Sequence, residues 1–379
     1  MQISIPPCFL KPALIVFLLA LSCPAFAYRM GEIEINPNAA VTETYDDNIT
    51  YLNINPKQDF ITTATLGLSV KYEGKTQSLD FLGHLNQEIF ARNNNFNNIS
   101  EDFNLNFQKE FSRYDRISIK NVFLHAEEPR SFEDAFGRTS GRYSYYDNRF
   151  SMGYSHDISK QITLTGSYAN ETYLLSRNDQ SDSYLNRMRV SLEDALSSTA
   201  ILLFSYDLAY RTFNPGEDAL TNTLTTGLRY YLTKQLYLEG NTGLDIIDSY
   251  DKRTYFEPLV NLSLIDDVDR NTRINITFNH QYSTIAYQQN LFNYTQISGS
   301  FNRQLLKKLA VSLNGFYGEG EYIGADIKDK LTGVGIGFVY DIWHNIKGTL
   351  NYNYTRALSN VATREYAKNS ISVGLEMDF

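Results

Sequence analysis

Apolar and polar residues alternate one by one at the end of the chain. The apolar positions are Ile371, Val373, Leu375, Met377 and Phe379, and the positions between them are serine, glycine or an acid. Successive side chains of a β-strand point to opposite faces, so this period of two predicts a strand with one apolar and one polar face. One such strand does not define a fold, so the rest of the chain has to repeat the pattern.

The same alternation recurs about every 20 residues and predicts 18 strands. It is weakest at residues 116–127 and 253–266, and Pro258 lies inside the second segment, so a count of sixteen strands stays open. The expected first residues of the strands are Ile33, Phe60, Thr76, Ile99, Arg116, Arg142, Gln161, Ser183, Ser198, Leu220, Gln235, Arg253, Asn271, Leu291, Lys308, Asp329, Asn345 and Glu365.

The connections between these strands alternate in length. Short turns such as residues 73–76 and 233–234 are followed by longer polar loops such as residues 92–98 and 128–141. A β-sandwich shares the alternation of side chains, but short turns at one rim and long loops at the other are typical of outer-membrane barrels. We therefore predict an all-β fold, a transmembrane antiparallel up-and-down barrel at residues 28–379, with both termini on the periplasmic side.

The amino terminus indicates export. Residues 1–27 contain one charged side chain, Lys11, an apolar run too short to span a bilayer, and the small-x-small sequence Ala25-Phe26-Ala27. We predict a signal peptide cleaved before Tyr28, export by the general secretory route, and location in the outer membrane of a Gram-negative cell. Lipoprotein processing at Cys23 is the alternative, although the preceding leucine lies one position too close to the cysteine.

Cleavage after residue 27 also changes the composition. It removes Cys8 and Cys23, the only cysteines of the 379 residues, so we expect no disulfide and no thiolate metal site. The loss of Lys11 takes the net charge from −9 to −10, which argues against general nucleic-acid binding. Aromatic residues, with 28 Tyr and 23 Phe, suit the girdles at membrane interfaces.

A barrel of this size encloses an aqueous channel unless something fills it, so the inward charges matter for function. Opposed charged walls would filter ions, whereas pairing along the wall would only stiffen the barrel. The inward basic residues are predicted to be Arg187, Arg189, Arg211, Arg229 and Arg273, of which the first four form one wall. The inward acids are predicted to be Asp80, Glu88, Asp102, Glu110, Glu171, Glu239, Asp245, Glu257, Glu376 and Asp378.

Two further features bear on the lumen. The loop at residues 128–141 mixes acids, two arginines and two phenylalanines, so it either folds inward and narrows the lumen or stays exposed. Gly333, Gly335 and Gly337 share one strand face without the spacing of a phosphate-binding loop. We expect these glycines to make room for a neighbouring side chain or loop.

The sequence offers little evidence of a catalytic or metal-binding site. The five histidines (84, 125, 156, 280 and 344) are scattered with no motif around them, so we predict no enzyme and no cofactor. Asp46-Asp47-Asn48 offers oxygen ligands for a divalent cation, but a polar turn at the end of a strand is the simpler interpretation.

A family resemblance enters at the segment Val41-Thr-Glu-Thr-Tyr-Asp-Asp-Asn-Ile49, close after the signal peptide. Its core, Tyr45, Asp46, Asp47 and Asn48, resembles the amino-terminal signature of the "putative β-barrel porin 2" family. The resemblance implies an outer-membrane pore, and similar barrels accompany exopolysaccharide or exosortase systems. The terminal Phe379 resembles the aromatic residue that the barrel-assembly machinery reads.

The predicted function is a passive, water-filled porin for small solutes. An exopolysaccharide export channel and a closed structural barrel are the alternatives. The expected partners are outer-membrane lipid, lipopolysaccharide, the assembly machinery and a polysaccharide or small-solute cargo, without nucleic acid. Because the inward row looks acidic outside one arginine-bearing wall, a polyanionic cargo fits less well than a neutral or cationic one.

Overall fold

The computed structural model describes residues 28–138, 140–177, 181–216, 218–248, 253–284, 291–322 and 325–379. Within these ranges, eighteen antiparallel strands form one closed sheet, and a three-residue strand, β1 (Tyr28–Met30), pairs with the start of the first of them. The barrel strands are β2 (Ile33–Asp46), β3 (Asp59–Glu73), β4 (Gln77–Phe90), β5 (Asn98–Glu110), β6 (Asp115–Ala126), β7 (Tyr145–Asp157), β8 (Ile162–Leu175), β9 (Asp182–Ala195), β10 (Ala200–Asn214), β11 (Ala219–Tyr231), β12 (Leu236–Asp248), β13 (Thr254–Asp269), β14 (Thr272–Thr284), β15 (Leu291–Leu306), β16 (Leu309–Tyr322), β17 (Ile327–Trp343), β18 (Ile346–Ser359) and β19 (Tyr366–Asp378).

Each strand pairs with its neighbours in sequence, and β19 pairs with β2 to close the barrel. At this seam Ile371 lies opposite Tyr45, and Met377 lies opposite Ala39. The predicted all-β barrel of 18 strands is therefore confirmed, and every strand begins within three residues of its predicted start. The alternative of sixteen strands is wrong, because the two weakly alternating segments both form strands, β6 and β13.

The apolar face of the sheet points outward. Leu66 on β3, Leu224 on β11 and Val373 on β19 are each more than half exposed. Their neighbours in sequence, such as Thr223 and Thr225 on β11, point into the lumen and line a polar cavity. An apolar outer band around a polar interior is typical of barrels that span membranes. None of the helices in the described residues is long and apolar enough to cross a membrane.

The two rims differ. At the turn rim, tight connections such as residues 74–76 and 232–235 join the strands. At the loop rim, residues 127–144 join β6 to β7 and contain a four-residue helix, α1 (Phe132–Ala135). Ser131 caps this helix by accepting a hydrogen bond of 3.0 Å from the backbone N–H of Asp134.

Candidate functional site

In the connection between β6 and β7, the described part of residues 127–143 lies inside the barrel and is here called the lumen loop. Its helix α1 carries Phe132 to the far wall, where the ring lies 6.4 Å from that of Phe316 on β16. By the shorter way round the sheet, β16 is eight strands from β6, almost half of the circumference. The loop therefore crosses the lumen, as one of the two alternatives from the sequence predicted.

Glycines on the far wall receive the loop. A Cβ atom built on Gly333 would lie 2.4 Å from the Phe132 ring, and one on Gly318 would lie 2.8 Å from the Phe136 ring. Side chains larger than hydrogen are therefore excluded by the close approach of the rings. Gly335 and Gly337, on the same face of β17 as Gly333, adjoin asparagine and serine side chains of the neighbouring strands instead.

Apolar packing completes this contact. Phe136 lies 5.5 Å from Phe316 and 5.3 Å from Phe292, both with edge-to-face geometry between the rings. These residues belong to a buried cluster with Tyr145 and Tyr322, which joins the near and far walls through the loop. Such aromatic pairs add about 0.5–1.5 kcal/mol each beyond the area they bury.

Arg142 ties the returning arm of the loop to three acids. Its guanidinium, with only 2% of the side chain exposed, bonds Glu88 on β4 at 2.8 Å and Glu127 at 2.7 Å, and it also contacts Glu128. The same group lies over the ring of Phe90, 4.7 Å from its centre. A buried arginine needs this number of partners, because an isolated charge in the interior is strongly destabilising.

Lys368 joins the loop to the seam of the barrel. Its ammonium group lies 2.7 Å from Asp46 on β2 and 3.2 Å from Glu128 in the loop, and it donates to the hydroxyl of Tyr51 at 2.9 Å. Both strands of the seam and the lumen loop therefore share one buried cation. Asp46, part of the family motif, thus has an ion-pair partner rather than an open coordination position.

Two other motif residues, Asp47 and Asn48, also form hydrogen bonds across the seam. Asp47 accepts hydrogen bonds of 2.7 Å from the backbone and the side chain of Asn369 on β19. Asn48 donates to the carbonyl of Ala367 at 2.9 Å and to that of Leu52 at 2.8 Å. The structure thus places the motif at the end of β2 and in the polar turn that follows, and the described residues contain no group of three acids, histidines or cysteines arranged to hold a metal ion.

A third contact fixes the tip of the loop. Arg364, in the connection between β18 and β19, pairs with Asp329 on β17 at 2.5 Å and donates to the hydroxyl of Tyr322 at 3.1 Å. Tyr322 in turn donates to the carbonyl of Gly137, and the Ser140 hydroxyl donates to the carbonyl of Arg364 at 2.9 Å. The lumen loop is therefore held at both arms and at its tip.

The wall that the loop does not cover contains a cavity of about 380 Å³. It runs along β9–β13, from Leu185 near the loop rim to Glu193 near the turn rim. Four of the five predicted inward arginines line it, namely Arg187, Arg189, Arg211 and Arg229. The structure thus brings together the wall that the sequence predicted.

This wall is not a basic surface, because acids neutralise most of it. Arg189 pairs with Asp207 at 2.6 Å, Arg211 with Glu171 at 2.9 Å, and Arg229 with Glu239 at 2.7 Å. Arg187 is exposed in the lumen and makes no ion pair with any residue that the structure describes. Of the four arginines on this wall, Arg187 therefore has the guanidinium that no acid neutralises among the described residues.

The remaining predicted lumen residues lie apart from one another. Asp245 lines the same cavity and accepts a hydrogen bond from Thr223 at 2.5 Å, with Glu257 opposite it on β13. Glu88 holds the loop through Arg142, and Asp102 contacts His84 at 2.7 Å. Two residues lie towards the turn rim: Asp80, opposite Lys71, and Arg273, in a separate cavity.

A second cavity, of about 640 Å³, adjoins the lumen loop. Amides and hydroxyls from several strands line much of it, whereas its charged residues belong mainly to the loop and its anchors. The uncharged polar lining residues include Asn275, Ser298, Ser300, Asn314, Asn353 and Thr355.

The anchors of the loop were not predicted from the sequence. The alternation predicts Arg142 as the first residue of a strand, whereas that strand begins at Tyr145 and Arg142 lies in the loop. Nothing in the local sequence identifies Lys368 and Arg364 as anchors of the loop, because their partners are remote in sequence. The available signal was the pair Phe132 and Phe136, four residues apart in an acidic loop, together with the glycine row that receives them.

The comparisons with known proteins agree with the predicted family. Residues 258–379, about a third of the chain, match the family model "Putative beta-barrel porin 2", which confirms the resemblance to this family; the matched residues do not include the amino-terminal motif. No curated protein matches the chain.

Several solved outer-membrane barrels are similar in structure. OccAB3 of Acinetobacter baumannii has 9% identity and a TM-score of 0.46, covering 91% of this chain and 99% of its own. OccK2 (OpdF) of Pseudomonas aeruginosa has 9% identity and a TM-score of 0.47, covering 92% and 99%. The siderophore receptor PirA of Pseudomonas aeruginosa has 11% identity and a TM-score of 0.44, covering 91% and 80%.

Replacing Gly333 by alanine should displace the lumen loop. The added Cβ atom would collide with the Phe132 ring, so α1 has to move away from β17 into the lumen, towards β9–β13. We expect a lower single-channel conductance in planar bilayers than that of the wild type, because the space beside the loop narrows. Gly315→Ala is the matched control, because a Cβ there meets no atom within 4 Å. Equal conductance of all three proteins would show that this contact does not hold the loop.

The charge of Glu128 sets the pH range over which the lumen loop is held in place. Burial alone raises the pKa of this carboxyl, but Lys368 and Arg142 outweigh it and lower the pKa from 4.5 to about 2. A lowered pKa means that the ionised form stabilises the folded loop. That stabilisation is complete above pH 4.5 and is lost as the pH falls towards 2.

We therefore expect constant conductance from about pH 7 to about pH 5, and a rise below about pH 4 as the loop loosens. Lys368→Met removes the main opposing charge, so its conductance should begin to rise at a higher pH. Lys71→Met, which removes the same charge near the turn rim, should follow the wild type. A Lys368→Met profile that coincides with the wild-type profile would contradict this role of Glu128.

Proposed function

We propose that this protein is an outer-membrane porin that lets small polar solutes diffuse along the β9–β13 wall. The observation that supports this best is the position of the lumen loop. It packs against β16 and β17, while the cavity along β9–β13 extends from one rim towards the other. Folding one loop onto the opposite wall narrows a wide barrel and still leaves a path beside it.

The charges along this path favour small solutes of low net charge. Three of the four arginines are neutralised by acids, two of them on the adjacent strand and one, Glu171, two strands away, so the field across the path is weak except near Arg187. A polyanion would need a continuous basic surface, which this wall lacks. Small neutral or zwitterionic molecules have no such requirement.

The proposed location is the outer membrane of a Gram-negative cell, reached by the general secretory route. The apolar outer band supports it, as do the apolar run and the small-x-small sequence at the amino terminus. Lipid and lipopolysaccharide would then surround the barrel. The assembly machinery would be the partner that recognises the carboxyl-terminal strand.

Export of a neutral exopolysaccharide is the second candidate function. The family resemblance suggests it, and the cavity beside the lumen loop supports it, because asparagine, serine and threonine side chains suit the hydroxyl groups of sugars. Such a chain would have to pass the loop. A closed structural barrel remains the third candidate and predicts no conductance.

Planar-bilayer recording separates these three candidates. A porin should show stable open channels with weak ion selectivity. An export channel should be blocked by micromolar to millimolar neutral oligosaccharides, and a structural barrel should show no current at any voltage. The last result, obtained with folded protein, would rule out the porin.

Arg187→Ala should make the channel more selective for cations. The substitution removes the unpaired positive charge and leaves Asp245 in the same cavity. The reversal potential in a salt gradient should shift towards the cation value. Arg356→Ala on β18, which removes an equal charge from the outer face, should leave it unchanged. An unaltered reversal potential in Arg187→Ala would place the path elsewhere.

Deletion of Phe379 should reduce the amount of barrel in the outer membrane. The backbone N–H of Phe379 donates to the carbonyl of Pro37 at 3.0 Å, so its loss removes only one hydrogen bond of the seam. A strong reduction would therefore reflect recognition rather than stability. Fractionated membranes compare the deletion with Phe379→Tyr, which keeps an aromatic end and should assemble normally. Wild-type levels of the deletion would argue against the assembly signal.

A further inference from the structure

Three polar residues meet on the outer face of the barrel, close to the loop rim. Glu101 on β5 lies opposite His125 on β6, and Ser144 is the last residue before β7. His125 shares its face with Phe123, whose ring stacks on the outward Phe103, whereas the alternate residues of β6 point to the lumen cluster. The three side chains are therefore on the side that faces lipid.

Their arrangement is that of a nucleophile, a base and an orienting acid. Nε2 of His125 lies 3.0 Å from the Ser144 hydroxyl, and Nδ1 lies 2.5 Å from a carboxylate oxygen of Glu101. With the ring hydrogen on Nδ1, the imidazole donates to Glu101 and accepts from Ser144. This is the order of contacts by which serine hydrolases prepare the hydroxyl for attack.

The surroundings make a purely structural role costly. Ile99 and Phe103, on either side of Glu101 along the outer face of β5, are both more than 40% exposed. Ionisable groups on an apolar, lipid-facing surface are destabilising, and where they occur they commonly serve function. Tyr146 stacks on the imidazole, with ring centres 4.2 Å apart, and so fixes its orientation.

Other histidine–acid pairs of the barrel lack the third member. His84 contacts Asp102 inside the lumen, and His156 contacts Asp115 at the turn rim, both through Nδ1. In neither pair does Nε2 bond a hydroxyl among the described residues. The serine on Nε2 distinguishes the outer-face site from ordinary ion pairing.

We propose that Ser144, His125 and Glu101 form a hydrolytic site for ester-linked acyl chains of membrane lipids. The proposal does not depend on whether the barrel conducts. Such a substrate already lies beside the site in the bilayer, so its acyl chain can reach Ser144 without leaving the apolar phase. Water from the nearby rim would be the second reactant.

The reaction would proceed in two balanced steps. The Ser144 oxygen attacks the ester carbonyl carbon while its proton passes to Nε2 of His125, and the imidazolium then protonates the leaving alkoxide to release the alcohol. His125 next takes a proton from water, whose oxygen attacks the acyl-serine. Collapse of that adduct releases the fatty acid and returns the proton to Ser144.

The test uses the purified, folded barrel in detergent micelles with p-nitrophenyl laurate as the probe. Ser144→Ala should lower kcat by on the order of 10³-fold. Glu101→Gln should lower kcat with little change in KM, because it removes the charge that stabilises the imidazolium, whereas Glu101→Asp should retain part of the activity. His156→Gln, which alters the pair at the turn rim, should match the wild type.

A fluorophosphonate probe gives a measurement that needs no variant. The wild-type protein should form one covalent adduct, located at Ser144 by mass spectrometry of its peptides. Heat-modifiable migration on gels shows that each protein is folded. Hydrolysis by the wild type at the rate of Ser144→Ala, or an absence of the adduct from Ser144, would overturn the proposal.

Discussion

Every other feature of this molecule depends on the pairing of β19 with β2. A backbone N–H or carbonyl group facing hydrocarbon has no water to bond, so a sheet in a membrane has to close on itself. The seam runs from Ser370 opposite Asp46 to Asp378 opposite Asn38. At its loop-rim end it is reinforced by side chains, since Asp47 bonds Asn369 and Lys368 bonds Asp46. The motif that suggested the family is thus the part of the chain that helps to close the barrel.

Closure creates a second constraint, because eighteen strands enclose more space than wall side chains can fill. The lumen loop fills part of this space. Two kinds of contact hold it in place, and they respond to different changes. Rings seated on Gly318 and Gly333 depend on shape, whereas the bonds of Arg142 and Lys368 depend on ionised acids. The loop can therefore be loosened by steric change or by acid, although both leave the backbone pairing of the wall intact.

The strands could be predicted from the sequence, but the contacts across the lumen could not. A period of two is local, so the strand at residues 371–379 could be read directly. Pro258 made β13 doubtful, yet among the described residues β13 pairs with β14 only from Val260 onward, so the missing N–H falls outside that ladder. The outer-face site left no motif, because its members lie 24 and 19 positions apart on separate segments and meet only through the register.

Counting charges on one strand face overestimates the field that a solute meets. Parity alone placed four arginines on one wall, but cross-strand neighbours are as close as neighbours along the wall, and three of the four bond an acid. Of these four arginines, Arg187 alone makes no ion pair among the described residues, and the proposed selectivity therefore rests on it. The same reasoning applies on the outer face, where Ser144 distinguishes one histidine–acid pair from the two others. In both places the proposed role depends on which partner the register supplies, and composition does not determine that.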